Sequence, residues 1–337
     1  MVIGALVAGA GFLLLSQVRE FWQFLLLRWS LVTTGGALMG SMVVSVSISR
    51  WFIQKRGRAI AIASLGQGIA KVGIPVLAAS LFVWLGWRYT WMVFGILTLG
   101  LVVIPSIVFM RRSPEDMGLY PDGAFSLSYG ADPFIKEVKL SPALDLFWSR
   151  AEVLRTRAFW LIGLTFGVAN VGITGLNLHV FSYVSDIGYP VVVAATVMGT
   201  IAFTQLSSTL FWGLLSERID IRKAIMFMFL IQTLGLSLAI ATAQLTPIYA
   251  GFFLYGIGLG GSQVLQEIVW ASYFGRLSLG RVRGLGLVVT NFFAAGGPPF
   301  FGFLYDVTKS YFSSFLLFTC ALMISAFSIL FVCPPKK

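Results

Sequence analysis

Ten runs of mostly apolar residues, separated by short polar breaks, cover most of the 337 residues. Four come first, at roughly 2–18, 22–49, 59–84 and 89–110. A polar stretch at 111–157 follows, then six more runs at about 158–184, 190–214, 224–243, 247–272, 284–304 and 312–333. A helix needs about 20 apolar residues to cross the hydrocarbon core of a bilayer, so each run is long enough or nearly so. Charged residues make up only 11% of the chain, less than half the roughly 25% of a soluble domain. A soluble fold of this size would lack polar side chains to cover its outside. The reading excludes a cytosolic enzyme, a disordered chain and a nucleic-acid reader, and predicts an all-α polytopic membrane protein.

The net charge of +11 acquires its meaning from its placement. Arg50, Lys55, Arg56 and Arg58 fall in one break, and Arg111, Arg112, Lys136, Lys139, Arg150, Arg155 and Arg157 in the long polar stretch. Arg218, Arg222 and Lys223, then Arg276, Arg281 and Arg283, then Lys336 and Lys337 complete the same side. Nineteen of the 24 basic residues therefore share one set of loops. Arg19, Arg88 and Lys309 lie on the other side, and Arg28 and Lys71 inside runs. The positive-inside bias places both termini and the 111–157 loop in the cytoplasm of a plasma (cytoplasmic or inner) membrane protein. No charge opens the first run and no small-residue cleavage site follows it, so it reads as a retained helix rather than a signal peptide. Cys320 and Cys333 both lie in the last run, and no CxxC or His-rich pattern suggests a metal. No cofactor is expected.

The two halves repeat. Trp51-Phe52 opens a basic stretch ending in Arg56-Gly57, followed by a Gly-rich run with Pro75 and then Trp87. Tyr273-Phe274 opens another, ending in Arg283-Gly284, followed by Pro298 and then Tyr311. The offset is about 222–224 residues, with small gaps. Weak internal repeats of this kind are common in transporter folds. At that offset the first four runs match the last four of the second half. A full first half would hold two further helices before Met1, so a fragment or a misassigned start is the favoured expectation and a ten-helix variant the other.

Gly213-Leu-Leu-Ser-Glu-Arg-Ile-Asp-Ile-Arg-Lys223 resembles the short cytoplasmic signature of the major facilitator superfamily, with Glu217 where that family usually has Asp. Arg111-Arg-Ser-Pro-Glu-Asp-Met-Gly-Leu119 with the later Pro-Asp-Gly resembles the central loop of its monocarboxylate and oxalate–formate-like permease branch. His179 through Asp186-Ile-Gly is of the same type, as are Ile268-Val-Trp-Ala-Ser-Tyr-Phe-Gly-Arg276 and Gly280-Arg-Val-Arg-Gly284. The resemblance implies a two-bundle fold: an incomplete four-helix bundle at 1–110, a cytoplasmic loop at 111–157, a six-helix bundle at 158–333 and a tail at 334–337. It also implies a secondary transporter of a small organic solute, such as a monocarboxylate, working by alternating access as symporter or antiporter with a proton or counter-anion. The run at 190–214 has no Arg or Asp and the one at 284–304 no Lys, where carboxylate carriers of this branch often place a charge. A non-transporting remnant is the alternative. A membrane enzyme fits less well, because one histidine, no Ser-His pairing and no acid cluster leave little for catalysis.

Several polar residues inside the runs could carry function. Lys71, at the middle of its run, would cost about 2.5–3.5 kcal/mol to insert alone; it reads as a counter-charge for an anionic substrate or as half of a structural ion pair. Arg28 lies where the family often keeps an arginine; a guanidinium there can grip a carboxylate in two prongs or snorkel to the interface. His179, the lone histidine, suits proton coupling or a neutral hydrogen-bonding role. Asn170, Asn177, Gln205 and Asn291 could line a cavity or bond neighbouring helices. The Gly213–Lys223 segment reads as a gate, with Gly213 in a tight turn, the Glu217 carboxylate at a helix end, and Arg218, Arg222 and Lys223 bridging neighbouring ends. Glu267, the one acid well inside a run, is expected to form an ion pair with Arg218 or another basic loop residue that holds the inward gate, with proton carriage as the alternative. Gly35-Gly36, Gly256-x-Gly-x-Gly-Gly261 and Gly296-Gly-Pro-Pro299 let helices approach or bend; none is followed by the Lys-Ser/Thr of a phosphate loop.

Overall fold

A computed structural model describes residues 1–111, 113–123, 147–275 and 277–335, with the backbone alone at 71 and 72. Every regular element among the described residues is helical. The chain divides into two compact units, one of residues 1–53 and 66–134, the other of 54–65 and 135–337.

The first unit holds α1 (Val2–Leu15), α2 (Phe21–Leu27), a π-helical turn at Arg28–Val32, α3 (Thr33–Met39), α4 (Ser41–Trp51), most of α5 (Arg56–Thr98) and α6 (Ile104–Phe109). Small residues let α1 lie directly on α3. A methyl on Gly4 would meet Leu38 Cβ at 2.7 Å, and one on Gly35 would press into the Ala8 backbone nitrogen. Leu15, Val18 and Val32 form a small core with Phe12, Phe24, Leu27 and Trp91 around it, and Phe12 stacks on Trp91 at 5.7 Å. Most large apolar side chains here face outward, among them Phe21, Trp29, Phe82, Val83 and Trp84. So wide an apolar surface belongs against acyl chains rather than water.

Among the described residues, eight helical stretches are long and apolar enough to span a bilayer, and α1 adds a shorter apolar helix. The difference from the ten expected runs has a physical source. The third and fourth runs join in one 54-residue stretch, Arg56–Phe109, which at 1.5 Å per residue would be about 80 Å long if unbroken. Gly86, with φ 79° and ψ 168°, breaks it. Only glycine adopts such a conformation without strain, and it falls between the two runs read from hydropathy.

The second unit holds α7 (Arg150–Arg155), α8 (Arg157–Asp186), α9 (Val191–Leu215), α10 (Ile221–Ile240), α11 (Leu245–Phe274), α12 (Leu279–Thr308) and α13 (Tyr311–Ser328), with the first turns of α5. The closest pairings are α8 with α12, α9 with α11, and α10 with α11. Glycines set the distances: a methyl on Gly251 would sit 2.6 Å from the Gly235 oxygen, and one on Gly172 would enter the Phe318 ring. Helices in lipid gain little from hydrophobic contact with one another, so close packing of this kind carries much of the association.

The stretch read as a single loop at 111–157 contains structure where it is described. Ser149 and Glu152 form a reciprocal capping box that starts α7, a Ser-x-x-Glu signal present in the sequence. The preceding residues pack within the second unit. Trp148 is buried, donates its backbone N–H to Ser278 Oγ at 2.6 Å and meets the Phe274 ring edge-on at 5.8 Å.

Candidate functional site

The Gly213–Lys223 segment connects α9 to α10. Glu217 lies three residues past the Leu214 carbonyl that accepts its N–H, and its side chain reaches the first turn of α5. Its Oε1 accepts the Arg58 backbone N–H at 2.9 Å, and its Oε2 accepts Arg58 Nη2 at 2.9 Å and Nε at 3.1 Å. Arg58 is the third residue of α5, where backbone N–H groups have no partner within the helix and the helix dipole favours an anion. Glu217 therefore caps α5 from outside while holding its guanidinium. The backbones meet beside this pair. A methyl on Gly57 would press into the Gly213 carbonyl oxygen and lie 2.5 Å from Ser216 Oγ; one on Gly213 would lie 2.5 Å from Ala61 Cβ. Ser216 itself donates to the Gly213 oxygen at 2.7 Å.

The basic residues of the segment take other parts. Arg222 bonds its own neighbour, with Nε 3.1 Å from Asp220 Oδ1, and Asp220 caps α10 by accepting the Arg222 N–H at 2.9 Å. The hydrogen bond from the Arg222 side chain holds the Asp220 carboxyl below the usual carboxylate range. Arg218 and Lys223 are exposed. The partner of Glu217 is thus Arg58, which the sequence reading counted only as a topology signal. It was findable only through the repeat, which sets the Arg56-Gly57 corner against Arg283-Gly284.

Glu267 forms an ion pair of the expected kind, with a basic residue that the sequence reading placed in a loop. It pairs with Arg283 rather than Arg218, and the two are buried, at 2% and 3% exposure. Glu267 is seven residues before the end of α11 and Arg283 four residues into α12, so a short turn brings them to one level. The structure extends α12 back to Leu279, so Arg283 lies in its first turns rather than in the loop. Its repeat counterpart Arg56 is likewise buried, at 5%.

The polar residues inside the membrane runs separate into three places. Arg28 begins the π-helical turn Arg28–Val32 and is exposed. The turn is held by Thr33, whose hydroxyl donates to the Arg28 oxygen at 2.8 Å. Single π-turns are frequent at functional sites. Lys71 lies within α5, its side chain outside the described residues. Asn170 and Asn291 lie on α8 and α12, which pack along one seam: a methyl on Gly167 would meet Phe293 Cδ2 at 2.8 Å. Asn170 is half-buried, and Asn177 and Asn291 are exposed. Gln205 is half-buried on α9, on a different seam, where a methyl on Gly260 would press into the Gln205 oxygen.

His179 continues the α8 seam. Its Nε2 lies 3.3 Å from the Pro298 oxygen and its Nδ1 3.2 Å from the Tyr311 hydroxyl. A carbonyl only accepts, so Nε2 donates to the Pro298 oxygen, while Nδ1 shares a hydrogen with the Tyr311 hydroxyl. Both ring nitrogens are thus occupied.

Comparisons with known proteins agree with this architecture. The profile of the Major Facilitator Superfamily matches residues 1–206 and 193–337. Monocarboxylate transporter 4 of Rattus norvegicus is 23% identical over 344 aligned residues, which cover 100% of this chain and 69% of that protein. The fucose:proton symporter of E. coli superposes with a TM-score of 0.73 at 11% identity, covering 99% of this chain and 82% of that one. The human organic anion transporter MFSD10 superposes with a TM-score of 0.71 at 14% identity, covering 97% and 76%. The homologues are transporters, not enzymes. With a family profile spanning the whole chain and a helical fold shared with solved transporters, this multi-pass membrane protein belongs to the major facilitator superfamily.

Proposed function

We propose that this chain is a secondary transporter of small organic anions of the monocarboxylate class, working by alternating access and coupled to a proton or a counter-anion. The observation that carries the reading is its similarity, along its full length, to a monocarboxylate transporter. Arg28 supports it, as an exposed guanidinium on a π-turn within an apolar helix and so available for two-pronged carboxylate contact. In this reading Lys71 supplies a second positive charge, and Asn170, Gln205 and Asn291 offer amide contacts. His179 serves through its hydrogen bonds to Tyr311 and Pro298. The 1–110 and 158–333 segments act as the two bundles.

The gate reading rests on the Arg58–Glu217 pair, the Gly57–Gly213 crossing and the buried Glu267–Arg283 pair. All three lie at the end of the protein whose loops hold most of the basic residues, which the positive-inside bias assigns to the cytoplasm of the plasma membrane. Charge-assisted bonds and close glycine contact hold that end shut and part when it opens.

The test is uptake of labelled monocarboxylates into proteoliposomes under an imposed pH jump, with and without internal carboxylate. Saturable uptake that Arg28→Gln weakens is the expected result. Stimulation by the pH jump identifies proton coupling, and stimulation by internal carboxylate identifies exchange. A folded, reconstituted protein that moves no carboxylate under either gradient would overturn the substrate class.

A further inference from the structure

α12 contains two consecutive prolines, Pro298 and Pro299. Neither has an N–H, so the carbonyls four residues earlier, at Ala294 and Ala295, lose their helical donors. In a bilayer no water replaces such a donor, and neighbouring helices or hydroxyl side chains must do so. α8 supplies one: Thr174 Oγ1 lies 2.7 Å from the Ala294 oxygen.

The same hydroxyl also lies 2.8 Å from the Asn170 oxygen and 3.3 Å from that of Val171, both on its own helix. It has one hydrogen to give. Asn170 is inside an uninterrupted helix, where the Thr174 N–H already meets its carbonyl. Ala294 has no such N–H to fall back on, so the hydrogen gains most there. The backbones are close enough to require this arrangement: a methyl on Gly297 would press into the Val171 oxygen and Thr174 Oγ1, and one on Gly175 would lie 2.5 Å from Phe301 Cδ2. His179, five residues along α8, holds the Pro298 oxygen on the other side of the break.

We propose that Thr174 is a positioning residue that pins the proline break of α12 to α8. The pinning lets α12 bend without freeing a carbonyl into the membrane. It also fixes the face bearing Asn291, about two turns before Pro298, relative to Asn170. The consequence for uptake rests on the transport reading above, whereas the pinning itself does not.

The experiment uses the full chain, purified in detergent and reconstituted. Thr174→Val keeps the side-chain shape and removes the hydroxyl, Thr174→Ser keeps the hydroxyl, and Pro298→Ala returns an N–H to the Ala294 carbonyl. The expected result is a fall of about 2 °C or more in the unfolding midpoint for Thr174→Val, a value near the parent for Thr174→Ser, and little further effect of Thr174→Val in the Pro298→Ala background. Uptake of labelled monocarboxylate by Thr174→Val should lose maximal rate with KM little changed. Equal damage from Thr174→Val with and without Pro298 would overturn the proposal, as would damage by Thr174→Ser equal to that by Thr174→Val, or no effect of Thr174→Val on the midpoint. The thermal coupling decides the pinning even if the parent transports no carboxylate, an outcome that would count against the substrate reading alone.

Discussion

Substituting Gly57 by alanine tests the gate at its tightest point. The added methyl would press into the Gly213 carbonyl oxygen, lie 2.5 Å from Ser216 Oγ and 3.1 Å from Glu217 Cγ. The first neighbour is backbone and cannot swing aside, so α5 and the end of α9 must separate. Overpacking of this kind costs about 1–3 kcal/mol. In the proposed gate the crossing is made only in the shut state, so that cost should fall on the shut state and shift the equilibrium toward opening by about 5- to 150-fold. Gly66, on the same helix, provides a control, since a methyl there meets nothing within 4 Å. The assay is maleimide labelling of Ser64→Cys, a half-buried position two turns along α5 from Gly57, after the exposed native Cys320 and Cys333 are changed to serine. Labelling should accelerate at least severalfold in Gly57→Ala and stay at the parent rate in Gly66→Ala. Equal rates in the two variants would refute the reasoning, because backbone contact at Gly57 would then not be what holds the end shut.

Glu217→Arg and Arg58→Glu should each reduce uptake sharply, and the double exchange should recover part of it, as measured by initial rates in proteoliposomes; no recovery would mean that the pair does not act as a unit. Glu267→Ala leaves the Arg283 guanidinium buried without its partner, a change that costs about 3–5 kcal/mol in protein interiors, and a second change, Arg283→Met, should return much of the lost thermal stability. Asp220 has a lowered carboxyl pKa, so its stabilising contribution is complete above the unfolded value near 3.9 and fades as pH falls through the lower folded value. Asp220→Asn keeps a good helix cap but removes the charge, so the unfolding midpoint should fall slightly at neutral pH, with the difference from the parent shrinking below about pH 4.

Much of the fold was legible because a bilayer imposes a simple rule on sequence. Runs of apolar residues must be helices, since no other open backbone arrangement satisfies its own hydrogen bonds in lipid. The family could be read from the Gly213–Lys223 segment and the ordered repeat. Even the division of the Arg56–Phe109 stretch shows in the sequence, as a glycine beside Trp87 and Arg88 between two apolar runs. Partner identity was not legible. Glu217 could have met any of ten or more basic residues on its side of the membrane, and proximity in sequence pointed to Arg218, Arg222 and Lys223. Packing chose Arg58, because Gly57 and Gly213 let the start of α5 come within reach of a carboxylate that also caps it. Likewise Glu267 met Arg283 because the turn between α11 and α12 is short, and Thr174 attracted no notice until α12 laid the carbonyl opposite Pro298's missing N–H against it. Composition and periodicity fix what each segment must do with its own backbone. Which side chains then serve another helix depends on contacts between residues far apart in sequence, and only the packed structure decides those.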